Sequence, residues 1–131
     1  MEKEKTQKYV ELQMLDQQIR NIQKQLQLVE NQIIELVITR QGLDELGEVK
    51  VNSETLAPLA SGIFIKADIK DKDNLIVNVG SNVAVEKTRE EVKELINKQL
   101  EEVKKVQNEL LFQLQSLSIE AQKIEKDLKN V

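Results

Sequence analysis

Neither cysteine nor histidine occurs in the 131 residues, tryptophan is missing, and two phenylalanines and one tyrosine are the only aromatic side chains. Without cysteine there is no disulfide, no thiolate metal site and no thiol nucleophile, and without histidine the commonest general base and metal ligand is gone. Most enzyme mechanisms lose their usual residues, so the chain reads as a non-enzyme that needs no cofactor. So few aromatics also leave no bulky residues for an ordinary globular core, which makes an extended shape the better expectation. No strong charge of one sign is present: the net charge is −4 with both signs interspersed, so no basic stripe neutralises phosphates and nucleic acid is not an expected partner. No apolar run approaches the ~20 residues that span a bilayer. The opening Met1-Glu2-Lys3-Glu4-Lys5 carries no apolar signal region. A soluble, cytoplasmic protein with no membrane partner is expected.

What the chain has in abundance is heptad periodicity, with the Leu, Ile, Glu, Lys and Gln content of long helices. Leu12, Leu15, Ile19, Ile22, Leu26, Val29, Ile33 and Leu36 recur at alternating spacings of three and four, the signature of a coiled-coil seam. A second seam follows the same rhythm through Ile96, Leu100, Val103, Leu110, Leu114, Leu117, Ala121, Ile124 and Leu128, with Gln107 as a polar interruption. Folding the chain antiparallel and pairing positions whose numbers total 136 matches the seams: Leu12 with Ile124, Leu15 with Ala121, Ile22 with Leu114, Leu36 with Leu100. The first helix is predicted to stop at Gly47, a residue that readily closes a helix C-terminus. The second starts at Thr88, where Thr88-Arg89-Glu90-Glu91 fits a capping box.

Between the helices the period changes to two. Ile63, Ile65, Ala67 and Ile69 alternate with Gly62, Phe64, Lys66 and Asp68, and Leu75, Val77 and Val79 answer Val83 and Val85. Turns at Ala60-Ser61-Gly62 and Gly80-Ser81-Asn82 divide this insert into two β-hairpins, and Pro58 suits an edge strand. The predicted organisation is a coiled-coil helix over 1–47, two β-hairpins over 48–87 and a coiled-coil helix over 88–131. The fold class is therefore α+β, a long antiparallel helical hairpin with an inserted strand body. Two hairpins of this size leave open edges and one apolar face each, so their strands are expected to pair with other subunits through Leu56, Leu59, Ile63, Ile65, Leu75, Val77, Val79, Val83 and Val85.

The run from Ser53 to Ala67, containing Leu56-Ala57-Pro58-Leu59-Ala60-Ser61-Gly62-Ile63, resembles the first hairpin of the alpha-class subunit of prefoldin. Val77-Asn78-Val79-Gly80-Ser81-Asn82-Val83-Ala84-Val85-Glu86 resembles its second, and two hairpins rather than one point to the alpha class, of archaeal type. Ala60 and Asn82 stand where the family often has glycine. The resemblance implies a molecular chaperone that holds unfolded polypeptides without ATP, in a hexamer of two alpha-class and four beta-class subunits, and hands clients to a group II chaperonin.

Candidate client-binding residues are the apolar side chains that do not fit a two-helix seam. Tyr9, Val10 and Met14 lie off it, Leu128 falls opposite Lys8 and Val131 opposite Lys5, and Phe112 and Ile119 stand one heptad apart on the side remote from the partner helix. Met14 beside Leu128 would make an adaptable apolar surface. Leu43, Leu46, Ile34, Val37 and Ile38 are expected to be buried where the helices meet the strand body. The acids Asp68, Asp71 and Asp73 lack calcium-loop spacing and read as a solvated connector, so no metal is expected. The rival reading is a structural spacer that polymerises through its β-hairpins; a spacer should end in polar residues, and this chain ends in Leu128 and Val131.

Overall fold

The computed structural model describes residues 2–130. Their order is α1 (Glu2–Glu48), β1 (Glu54–Ala60), β2 (Ile63–Asp68), β3 (Asn74–Gly80), β4 (Val83–Thr88) and α2 (Arg89–Lys129). The two long helices with two small antiparallel hairpins between them are the architecture that the change of period predicts. The chain divides into two compact units, Met1–Glu35 with Glu101–Val131, and Leu36–Leu100.

The first unit is a pair of helical segments. The strong helix formers Leu, Gln, Glu and Lys dominate both, and neither proline nor glycine interrupts them. Ile22, Val29 and Leu110 are buried together, and Leu26, Ile33, Val103, Leu114 and Leu117 pack on them. Every one of these is a seam position. Leu15 and Ala121 are buried further along. A salt bridge of 3.7 Å from Lys8 Nζ to Asp127 Oδ2 joins residues whose numbers total 135, one away from the seam register.

In the second unit Leu43, Ile96 and Leu100 are buried, Leu100 at only 3% exposure. Two polar contacts tie the helices there: Lys93 Nζ lies 2.5 Å from Asp44 Oδ1, and Arg40 Nη1 donates to Asn97 Oδ1 at 3.2 Å. Both pairs total 137, so the antiparallel register is bracketed from the other side. Lys93 holds the Asp44 carboxyl below the usual carboxylate range, chiefly by its hydrogen bond.

The junction of helices and hairpins corrects one expectation. The first helix does not stop at Gly47 but continues to Glu48, and the left-handed residue that follows is Asn52, at φ 72°. Gly47 serves close approach instead: a Cβ there would collide with the Arg89 guanidinium. Lys72 Nζ donates to the Gly47 carbonyl at 3.0 Å, satisfying one of the unpaired acceptors at a helix end with a cation that the helix dipole favours. Arg89 N in turn donates to Asp73 O at 2.8 Å.

The acidic connector organises itself. Asp71 Oδ1 accepts from the backbone N–H of Asp73 at 2.9 Å and of Asn74 at 3.2 Å, while Asp71 Oδ2 accepts from Asn74 Nδ2 at 3.0 Å. Those donors, the Asn74 amide first, lower the Asp71 pKa. At the start of α2, Thr88 Oγ1 accepts from Glu91 N at 3.2 Å and donates to Glu91 Oε1 at 3.1 Å. The threonine half of the expected capping box therefore forms, while the glutamate carboxylate accepts from the Thr88 hydroxyl in place of the Thr88 N–H.

Each hairpin is a separate two-stranded sheet, β1 with β2 and β3 with β4. The first pairs Ala57 with Ile65 and Pro58 with Phe64, and shifts register between Pro58 and Ala60 before turning at Ser61-Gly62, with Gly62 at φ 76°. Its base is extended by Asn52 N to Ile69 O at 2.7 Å and Ile69 N to Ser53 O at 2.9 Å. The second pairs Val77 with Val85 and Ile76 with Glu86, with the equivalent shift between Asn78 and Gly80. Both turn residues are left-handed, Ser81 at φ 52° and Asn82 at φ 60°, the pattern of a primed turn that suits the strand twist. Asn82 tolerates that region; Ser81 occupies it without glycine's freedom or asparagine's local hydrogen bonding.

Candidate functional site

No constellation of ionisable groups forms a reactive centre among the described residues; what the fold presents is apolar surface, in three places. The first is where α1 begins. Tyr9, Val10 and Met14 are all exposed, Met14 at 58%. They occupy positions off the heptad seam, so the partner helix cannot cover them. Leu128 departs from expectation: it is half-buried. Lys8, also half-buried, pairs its ammonium with Asp127, the neighbour of Leu128 in sequence. Val131 lies outside the described residues.

The second place is the side of the helix pair in the first unit. Phe112 is 72% exposed, and Ile119 is exposed as well. Phe112 borders a shallow groove floored by Ile22 and Leu117 and walled by Gln18, Asn21 and Ser116. Leu28, Val106 and Leu111 are also exposed, none of them among the residues singled out from sequence.

The third is the hairpins. Leu56, Leu59, Ile63, Ile65, Val79 and Val83 are exposed, whereas Leu75, Val77 and Val85 are half-buried. The ladder divides the candidate oligomerisation set between faces. Ile65 sits opposite Ala57, and Ile63 opposite Ala60, but Leu56 sits opposite Lys66 and so shares the other face with Phe64. Phe64 and Ile76 are apolar surface that alternation alone assigned to the polar faces, and Ile76 is 73% exposed. A β-branched or aromatic residue on a nominally polar face was the available signal.

Two residues expected under cover are not. Ile34 and Ile38 are exposed, because they follow the seam positions Ile33 and Leu36 by one and two residues and so point past the partner helix; Leu43 is buried, and Val37 and Leu46 are half-buried. No helix among the described residues is long and apolar enough to cross a membrane.

The Prefoldin subunit family model matches residues 15–131. The chain belongs to the prefoldin family. This prefoldin is similar to the prefoldin subunit alpha of Methanococcus vannielii, 30% identical over 129 residues that cover 98% of this chain and 86% of the relative. That of Thermofilum pendens is 27% identical over 119 residues, covering 91% and 92%. Among solved structures, a filamentous PFD from Methanocaldococcus jannaschii superposes with a TM-score of 0.77 at 17% identity, covering 88% of this chain and 95% of that one, a likeness of fold. Prefoldin membership gives the chain a chaperone-type role.

Proposed function

We propose that the chain is an alpha-class prefoldin subunit that holds unfolded polypeptides without nucleotide and passes them to a group II chaperonin. The exposed Tyr9, Val10 and Met14, off the seam at the start of α1, carry this reading. Met is flexible and polarizable, so such a surface adapts to many apolar segments, each bound weakly. Several copies in one assembly then hold a client by avidity, and release needs no fuel because each contact is reversible. The assembly proposed is two of these chains with four beta-class subunits, joined through the open edges and apolar faces of the hairpins, in the cytoplasm. An isolated two-stranded hairpin is marginal in water, so a partner strand supplies what each sheet lacks. No step calls for catalysis or a cofactor.

Replacing Tyr9, Val10, Met14, Leu128 and Val131 with serine is expected to leave the oligomer intact and to weaken suppression of a client's aggregation. Unchanged suppression removes these residues from the account.

A second reading is a structural protein that polymerises through its hairpins. The separate two-stranded sheets with unpaired edges favour it too, and the Methanocaldococcus jannaschii structure of similar fold is described as filamentous. Native mass measurement separates the two: a discrete hexamer on mixing with a beta-class subunit supports the holding chaperone, and an open-ended series of masses from this chain alone supports the polymer.

A further inference from the structure

The two hairpins are one piece of structure used twice. β3 (Asn74–Gly80) and β4 (Val83–Thr88) each begin and end 20 positions after β1 (Glu54–Ala60) and β2 (Ile63–Asp68). The pairing repeats rung for rung: Leu56 with Lys66 answers Ile76 with Glu86, Pro58 with Phe64 answers Asn78 with Ala84, and the same shift of register precedes each turn. Even the bond below the ladder recurs, Ile69 N donating to Ser53 O at 2.9 Å as Arg89 N donates to Asp73 O at 2.8 Å. Below that bond the two part company.

The second hairpin is clamped. Arg89, which closes its ladder, is already the first residue of α2, and Thr88 is both the last strand residue and the acceptor for Glu91 N. Arg89 lays its guanidinium over Gly47 and reaches the Asp73 carboxylate at 3.9 Å, while Lys72 Nζ donates to the Gly47 carbonyl at 3.0 Å. Strand entry, the end of α1 and the start of α2 are thus held on one another. Leu75, Val77, Val85 and Lys87 are half-buried, whereas of the corresponding Thr55, Ala57, Ile65 and Ala67 only the two alanines are.

The first hairpin hangs on two crossings of the chain. At Val49–Lys50 the bonding of α1 ends, with Val49 N on Leu46 O at 3.2 Å, and the turn that opens the hairpin begins, with Ser53 N on Lys50 O at 3.2 Å. On the return, Ile69 is bonded to Asn52 and Ser53, whereas the Asp71 carboxylate already serves Asp73 and Asn74 of the second hairpin. Lys70, between them, is exposed and lies outside both ladders. Among the described residues no hydrogen bond or ion pair joins residues 50–69 to the rest of the chain.

We infer that the first hairpin is a hinged flap that turns about an axis through Val49–Lys50 and Lys70, while the second hairpin moves as one body with the first turns of α2. Two crossings fix an axis, and a rotation absorbed by a few backbone angles there breaks none of the bonds on either side. From Ile69 to Ile63 the flap rises about 20 Å at ~3.3 Å per residue, so a swing of about 10° carries its tip ~3.5 Å. In the assembly proposed above, the second hairpin then passes the direction of its partner sheet to the helices, and the first takes up misfit against its own partner strand. That consequence rests on the proposed assembly; the hinge does not.

The cysteine-free chain takes spin labels at chosen sites. Lys66→Cys and Glu86→Cys fall on the same rung of the two hairpins and are both exposed, and Lys98→Cys gives an exposed reference on α2. Double electron–electron resonance is recorded on the full chain labelled at 66 and 98 or at 86 and 98, diluted in unlabelled chain so that only distances within one molecule are read. The 66–98 distribution is expected to be about twofold wider than the 86–98 one, label motion being common to both. Comparable widths, or a wider 86–98 distribution, overturn the hinge. A second arm adds Lys72→Met and Arg89→Met, with helicity checked by circular dichroism, and the 86–98 distribution is expected to broaden toward that of 66–98. An unchanged width overturns the clamp as the source of the difference. With a beta-class subunit added, the 66–98 distribution is expected to narrow. A hexamer without narrowing overturns the flap's role in assembly, and no hexamer overturns the assembly while the widths of the chain alone still decide the hinge.

Discussion

Leu110 and Leu111 are adjacent, identical in composition and opposite in setting, which makes them a stringent test of the seam. Leu110 is buried with Ile22 and Val29, whereas Leu111 is 48% exposed. Leu110→Ala removes about three methylene equivalents from cover, ~2.4 kcal/mol at ~0.8 kcal/mol each, and adds the cost of any cavity that remains. A seam one layer deep can close on the gap or admit water, so the total should lie near the lower end of the usual ~2–5 kcal/mol for this substitution. Leu111→Ala gives up about half the buried area and gains the better helix propensity of alanine, for a net loss below ~1 kcal/mol. At roughly 4 °C per kcal/mol for a chain of this size, the expected falls in Tm are on the order of 10 °C and under about 4 °C. Helical circular dichroism on heating, at one protein concentration because assembly shifts apparent stability, reads both. Equal shifts, or a larger one for Leu111→Ala, would refute the seam, since the helix face would then be wrong by about 100° per residue.

Thr88→Ala should cost about 1 kcal/mol in urea unfolding, because Glu91 loses both its N–H acceptor and its carboxylate partner; Thr88→Ser should recover most of it. Ser81→Gly should stabilise by up to ~1 kcal/mol, relief of the left-handed cost at φ 52° exceeding glycine's added unfolded-state freedom; a loss on urea unfolding would contradict that conformation. The carboxyls of Asp44 and Asp71 are both lowered, so their stabilisation is complete above an unfolded pKa of 3.8 and is lost as pH falls through the folded values. Urea midpoints should drop below about pH 4, and the pair Asp44→Asn with Asp71→Asn should flatten that slope. Gly47→Ala should gain the full helix-propensity term of about 1 kcal/mol only when Arg89→Ala removes the guanidinium from the space a Cβ would take; additivity of the two changes within ~0.3 kcal/mol would deny the contact.

The seams were legible because burial in a two-helix coil depends on one period and one register, and both are written in the spacing of Ile22, Val29 and Leu110. The turns were legible because Gly62 and Asn82 mark backbone that few residues tolerate. Less was legible at the junction. Gly47 looked like a helix stop, yet its use depends on Arg89, 42 positions away in sequence, and no local pattern states that a guanidinium will rest there. Leu128 is half-buried although the register sets a lysine opposite it, and partial burial beside a charged residue is not written in hydropathy. For Ile34 and Ile38 hydropathy and heptad position disagree, and position, beside and beyond the seam, sets them toward solvent.

The candidate surfaces differ in a deeper way. Tyr9, Val10 and Met14 fall in one short stretch and violate the local heptad, so a scan along the chain finds them. The groove beside Phe112 violates nothing: glutamine at a heptad flank is ordinary, and a single exposed apolar residue is too. Its lining appears only when Gln18, Asn21 and Ile22 are set beside Phe112, Gln113 and Leu117, residues brought together by the antiparallel register and separated by some ninety positions of sequence. A surface assembled from two segments exists only after the register is known. The hairpin faces show the same dependence, since Leu56 and Phe64 share a side only because the register shift falls between Pro58 and Ala60, beyond their pairing. Periodicity thus predicts which residues leave water within one helix or strand, and register decides which of the others stand together to meet a partner.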